Sequence, residues 1–204
     1  MLTVVADSLR FVTTMMVGLD IDGVLADFVS PFLRVLQARA CTGPIDPATY
    51  VDLSFSTHPE LSKEIVTECI LKVSNDPEFW EQLNPLPTAE QWQALDSLSR
   101  QQQLIFVTHR YECDNYSIHQ VTCAWLERHG VSNPVVYFTQ SLKSELIGKL
   151  KVDLFVDDRH ENCRDVAENT DAVVLMPHRP YNQTFSHSRV RRIQDLDELL
   201  PLIA

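Results

Sequence analysis

No window of the 204-residue chain approaches 18 uninterrupted apolar residues, so nothing in it reads as a transmembrane helix. Basic residues are scarce: 17 Lys and Arg stand against 28 Asp and Glu, a net charge of −11. So acidic a chain has little with which to track a nucleic-acid backbone, and nucleic acid is not an expected partner. A small phosphorylated substrate is still allowed, because a metal ion and a few basic side chains reverse the sign locally. The five cysteines (Cys41, Cys69, Cys113, Cys123 and Cys163) are odd in number and contain no CxxC pair. Reduced thiols in a cytoplasmic protein are expected, and a zinc site has little support. The opening MLTVVADSLRFVTTMM lacks a basic n-region and a clear cleavage site, which argues against a signal peptide. Residues 1–15 are set apart as an N-terminal extension. A translation start at Met15 or Met16 and a genuine arm packed on the domain both fit it. There is no internal repeat and no low-complexity tract.

What is present points to one α/β domain carrying an insertion. Hydrophobic residues make up 45% of the chain, enough for a substantial core. Short apolar runs at 16–19, 104–107 (LIFV), 135–138 (VVYF), 154–156 (LFV) and 172–175 (AVVL) read as buried parallel strands. Helical periodicity falls between the later ones. TAEQ at 88–91 is a capping-box pattern opening a helix over 88–101. A second helix over 114–129 ends at Gly130, and shorter ones are expected over 143–150 and 161–168. Strands alternating with helices predict a parallel sheet covered on both faces, a Rossmann-like three-layer α/β/α fold. Ligands of such sheets bind beyond the carboxyl ends of the strands, and Asp20, Thr108 and Asp157 each stand at one.

From Asp22 to Thr108 is 86 residues, far too long for an ordinary connection. Phe28, Phe32, Val35, Leu36 and Ala40 recur at helical spacing. So do Leu61, Ile65, Val66, Cys69, Ile70 and Val73, with Pro59 expected in the first turn. TGPIDPAT between them reads as turn and loop. The expected layout is a core over 16–29 and 86–204, with a small helical cap inserted over 30–85 after the first strand. Such a cap excludes water and reads the substrate; helices that merely extend the core are the plainer alternative.

VGLDIDGVLADF, residues 17–28, carries the chemistry. Carboxylates at the end of a buried strand are costly unless something uses them. An EF-hand calcium loop is excluded, because Val24, Leu25 and Ala26 have no side-chain oxygens where further ligands are needed. The full string resembles motif one of the haloacid dehalogenase-like (HAD) phosphatases. The resemblance implies that Asp20 is the nucleophile and Asp22 the general acid/base, with Mg²⁺ as cofactor. The remaining motifs occur in order. LIFVTHR supplies Thr108 for the phosphoryl oxygens. QSLKSELIGKL supplies Lys143, or more weakly Lys149. VDLFVDDR supplies Asp157 and Asp158, which hold the metal with Asp20 and the backbone of Asp22. Asp158 is favoured as the direct ligand and Asp157 as its support, and the reverse stays open. Dehalogenation is disfavoured, because it needs neither the second motif-one Asp nor the motif-four pair.

DGVLADF, NDPEFWEQLNPLP, TCAWLERHG, VDLFVDDR and PYN at 180–182 follow the order of the 5′(3′)-deoxyribonucleotidase family, over roughly residues 16–182. That resemblance implies a 5′-nucleotidase acting on (deoxy)nucleoside monophosphates, with aromatic residues of the cap around the base. Phe28, Phe79 and Trp80 hold the corresponding positions; packing between cap and core is the alternative for Phe79 and Trp80. The chain departs from the family after Thr108, where a small residue and Pro are usual. Here His109 and Arg110 stand, which adds a phosphate contact or marks a different leaving group. Another small phosphate ester, a polynucleotide end, and a catalytically retired binding module are the competing readings. The net charge disfavours the second, and the intact acid set the third. A homodimer is compatible with such folds.

Overall fold

The computed structural model describes residues 15–40, 42–51, 53–55 and 58–203. Of the expected N-terminal extension only Met15 falls within them, and Cys41 lies outside. Strand β1 (Val17–Leu19) leads through a tight loop to β2 (Ala26–Asp27). Helices α1 (Val29–Ala40), α2 (Lys63–Ser74) and α3 (Pro77–Glu81) follow, then β3 (Asn84–Pro85). The chain next alternates through α4 (Ala89–Arg100), β4 (Leu104–Thr108), α5 (Ile118–Arg128), β5 (Val136–Phe138), α6 (Ser144–Lys149), β6 (Leu154–Val156), α7 (His160–Asn169) and β7 (Val173–Pro177). It closes with β8 (Val190–Ile193) and α8 (Leu200–Ile203).

Six parallel strands form one sheet in the order β5-β4-β1-β6-β7-β8. Alternation along the strands splits the core in two. Leu19, Phe106, Val156 and Leu175 pack on one face with Leu95, Trp125 and Leu126 of α4 and α5. Ile105, Val107, Phe155 and Val174 pack on the other with Ile147, Cys163 and Val166 of α6 and α7. The fold is therefore the expected α/β/α sandwich. Among the described residues, no helix is long and apolar enough to cross a membrane.

Local chemistry sets the element ends. Thr88 and Gln91 form the reciprocal capping box at α4, with bonds of 3.3 and 2.9 Å. Helix α2 does not begin near Pro59: Ser62 caps it by accepting from the Ile65 amide, so Pro59 stays in the preceding loop. Helix α5 starts at Ile118 rather than 114, because Ser117 accepts from the Gln120 amide and ends the loop before it. Strand β8 carries no apolar run. It is an edge strand of sequence VRRI, and Arg192 is spent on the carbonyls of Asn182 and Phe185.

Strands β2 and β3 form a two-residue antiparallel pair, Ala26 opposite Pro85 and Asp27 opposite Asn84. The three helices of the insert stand between them. Phe32, Phe55, Leu61, Cys69 and Val73 build its interior, continuous with the main core. Its far end is tied to α5. The Trp125 indole donates to the Leu83 carbonyl at 2.9 Å, and Arg128 donates to that of Glu81 at 2.8 Å.

Candidate active site

Leu19 on β1 is in register with Phe106 on β4 and Val156 on β6, so three strand ends meet at one rim. The Asp20 amide donates to the Val156 carbonyl at 2.9 Å, and the amides of Leu25 and Ala26 both return to the Ile21 carbonyl at 2.8 Å. Ile21, Val24 and Leu25 are buried. The apolar letters of the motif thus pin its loop into the core, while its acids stand on a fixed turn. Gly23 lies at φ +87°, and a Cβ there would overlap the Asp158 carboxylate. No other residue type fits the close approach of these two segments.

Lys143 is fully buried and makes ion pairs of 2.8 Å to Asp20 and 2.7 Å to Asp157. It also donates to the Val107 carbonyl at 2.7 Å. Burial alone would discharge it, but Asp157 and Asp20 outweigh that and keep the ammonium protonated. Burial pushes the Asp20 carboxyl well above its usual range; Lys143 opposes this, while Asp157 and Asp158 add to it. Lys149 is exposed.

The paired acids are used differently. Asp157 is saturated within the protein: it accepts from Lys143, from the Asn162 amide group at 3.0 Å and from the Arg159 backbone at 2.8 Å. Asp158 accepts from the Tyr181 hydroxyl through Oδ2 at 2.5 Å, and its Oδ1 is buried without a partner. Burial, then the neighbouring Asp157, raise its pKa to about 7. Asn182 holds its backbone carbonyl at 2.9 Å. One carboxylate oxygen each from Asp20, Asp157 and Asp158 lie within 4.8 Å of one another. When all three are ionised, the carboxylates outnumber the one ammonium by two negative charges. The orphaned Asp158 oxygen and that excess suit a divalent cation.

Asp22 belongs to a different network. Arg110 clamps it with two bonds, Nη2 to Oδ1 at 2.7 Å and Nε to Oδ2 at 3.0 Å. Arg110 therefore faces an aspartate rather than standing as a free phosphate ligand. His109 is bonded through Nε2 to the Ser141 carbonyl at 2.8 Å. Burial, then the Lys143 ammonium, lower its pKa, so it offers no full positive charge. The Thr108 hydroxyl is buried with no hydrogen-bond partner and opens on the same cavity as Asp20, Asp22 and Asp158.

That cavity measures about 460 Å³. Its other wall comes from the insert, chiefly Phe28, Leu53, Phe55, Ile70, Val73 and Trp80. Phe79 does not line it. Its ring lies edge-on to Phe28 and Trp80, with centroids 5.9 and 5.2 Å away. Phe28 stacks on Phe32 at 5.1 Å and on Trp80 at 5.8 Å. Phe55 sits in the left-handed region at φ +54°, an uncommon place for a bulky side chain, with its ring against Phe32 and Tyr50. Sequence reasoning missed Tyr181 and Asn162 as partners of the motif-four acids. It also missed Leu53, Phe55 and Ile70 as cavity wall. PYN at 180–182 was the one visible signal, and nothing in it named Asp158 as its target.

Sheet order and acid-lined rim give an α/β/α hydrolase fold of the HAD type, and the family matched makes the chain a phosphoric monoester hydrolase. The chain belongs to the family described as 5′ nucleotidase, deoxy (pyrimidine), cytosolic type C protein (NT5C), whose model matches residues 14–204. YqfW of Bacillus subtilis strain 168, named as a candidate nucleotidase, is 24% identical over 190 residues, 87% of this chain and 88% of that protein. A HAD-superfamily hydrolase of subfamily IA from Geobacter sulfurreducens superposes with a TM-score of 0.54 at 14% identity, covering 93% of this chain and 96% of its own. A structure from Lactobacillus plantarum, named as a candidate phosphoglycolate phosphatase, gives 0.56 at 14% identity, covering 93% and 99%. At such identity these solved structures speak for the fold alone.

Proposed function

We propose that the chain is a Mg²⁺-dependent cytoplasmic phosphatase that hydrolyses 5′-(deoxy)nucleoside monophosphates through an aspartyl phosphate on Asp20. The observation that carries the reading is the pairing of two orphaned buried oxygens, Thr108 Oγ1 and Asp158 Oδ1, on one cavity with Asp20 and Asp22. A buried polar atom without a partner calls for an explanation, and two of them converging on one acid-lined cavity are explained by a bound ligand. Asp20, Asp158 and the backbone of Asp22 would hold the cation, with Asp157 supporting them. Bound Mg²⁺ supplies positive charge that neutralises phosphoryl oxygens and the nucleophile together.

Asp20 attacks phosphorus as its bond to the leaving oxygen breaks. Asp22, protonated when the substrate binds, donates that proton to the leaving oxygen and then, as the carboxylate Arg110 holds, takes one from the water that attacks the aspartyl phosphate. Inorganic phosphate leaves and the Asp20 carboxylate is restored. Thr108 would hold a phosphoryl oxygen through a hydroxyl that is already buried and unpartnered, and Lys143, whose three N–H groups are taken by Asp20, Asp157 and the Val107 carbonyl, supplies buried positive charge beside it.

The insert side of the cavity carries no charged side chain among its described lining residues. A second ionised group on the substrate would find no partner there and would be desolvated at a cost. The wall suits an uncharged ring, which fits a nucleoside better than phosphoglycolate or a sugar bisphosphate. The test is a phosphate-release screen over nucleoside monophosphates, phosphoglycolate and sugar phosphates, with Mg²⁺ and with EDTA. Nucleoside monophosphates should lead, and EDTA should silence them. Preference for a small anionic ester would remove the nucleotide assignment, and indifference to EDTA would remove the metal.

A further inference from the structure

The mechanism above leaves Arg110 without a task, yet it is among the largest fully buried side chains of the protein. Its guanidinium is committed on every side. The two bonds to Asp22 form a fork of the bidentate kind that fixes direction as well as distance. Nη1 donates to the Thr122 hydroxyl of α5 at 3.1 Å, and that hydroxyl is itself anchored on the Ile118 carbonyl at 2.7 Å. The Arg110 carbonyl accepts from the Gln140 side chain at 3.2 Å. Finally, the guanidinium carbon lies 4.7 Å from the centre of the Trp80 ring on α3. Trp80 in turn stacks on Phe28, which stacks on Phe32. One column therefore runs from the aromatic interior of the insert through Trp80 and Arg110 to Asp22.

We infer that Arg110 is the positioning residue of Asp22, with Trp80 as the platform that holds its guanidinium in plane. This rests on the reading of Asp22 as the proton donor and acceptor of a phosphatase. A side chain exposed at about a fifth of its surface, as Asp22 is, would sample several rotamers without such a clamp. Lysine cannot replace the fork, because an ammonium is a point charge. Trp80 acquires a role other than base stacking: its ring is already engaged by Arg110 and Phe28, and it helps aim the acid/base.

The experiment compares kcat/KM of wild type, Arg110→Lys, Trp80→Phe and Asp22→Asn on phenyl phosphate and 4-nitrophenyl phosphate with Mg²⁺. Phenoxide is the more basic leaving group and needs the proton more. Arg110→Lys should lose about tenfold more on phenyl phosphate than on 4-nitrophenyl phosphate, with Asp22→Asn setting the ceiling. Trp80→Phe should shift the same way by less. Inhibition by inorganic phosphate should be unchanged in Arg110→Lys. Equal losses on the two esters, or weakened phosphate inhibition, would overturn the assignment; the latter would make Arg110 a phosphate anchor. Wild-type turnover of aryl phosphates without turnover of nucleotides removes the substrate proposed above and leaves this inference standing. Thermal melts of Arg110→Lys, Trp80→Phe and the double variant judge the platform without any turnover. Contacting residues should give a combined Tm loss smaller than the sum of the single losses, and strict additivity would sink it.

Discussion

On the core side of the cavity, charge is concentrated and tied down. Lys143 bridges Asp20 and Asp157, Tyr181 holds Asp158, and Arg110 holds Asp22. On the insert side the wall is Leu53, Phe55, Ile70 and Val73, with no charge to place. Under the proposed function, the first region would meet the phosphoryl group whatever the phosphate is attached to. On the same reading, the second region would face the remainder of the substrate, to which it offers shape and apolar surface. Substitutions on the two sides should therefore fail differently: core changes in turnover or stability, changes to Leu53, Phe55, Ile70 or Val73 in choice of substrate, with Trp80 set apart by its contact with Arg110.

The sharpest break is Asp20→Asn. It removes the proposed nucleophile while keeping shape and hydrogen-bonding capacity, and turnover should fall by at least about a thousandfold with the thermal melt nearly unchanged. Wild-type rates in that variant would dissolve the contrast between the two sides. Lys143→Met comes next, read by urea denaturation. It leaves Asp20 and Asp157 buried without their common cation, which should cost about 3–5 kcal/mol in EDTA. Saturating Mg²⁺ should recover part of that loss by binding only the folded state. An equal loss with and without Mg²⁺ would mean that the carboxylates do not share an ion.

The sheet was legible because buried parallel strands leave apolar runs. LIFV and LFV fall within β4 and β6, and the Thr88 capping box marks the start of α4. Strand β8 was not legible, because an edge strand tolerates the arginines of VRRI. The acids were visible as types at strand ends. Their partners were not, because Arg110 meets Asp22 across 88 positions and Tyr181 meets Asp158 across 23. Side-chain pairing across a fold depends on packing that no local pattern encodes. For the same reason the resemblance placed Phe79 beside Trp80 around the base, with packing between cap and core as the alternative, and could not separate the two. Consecutive helical residues point in different directions, and only Trp80 lines the cavity.

The smallest effect expected is also the one that separates metal-free from metal-loaded core. In the metal-free protein, burial and Asp157 raise the pKa of Asp158 to about 7, above its value in an unfolded chain near 3.8. A group raised in the folded state stabilises fully below its unfolded pKa, and that contribution is lost as pH rises through the folded one. Asp20 is raised as well and acts in the same direction. His109 is lowered and works the other way, destabilising only as pH falls below the ordinary histidine range. Thermal melts in EDTA should therefore drop by about 5 °C between pH 5 and pH 8. With saturating Mg²⁺ the same span should be nearly flat, because the cation replaces the proton as the partner of the carboxylates. The uncharged insert wall contributes nothing to this slope, so trimming Ile70 to Ala should lower both curves without changing their difference. A slope that persists unchanged in Mg²⁺ would place the titrating group outside the acid cluster and remove the electrostatic half of the comparison.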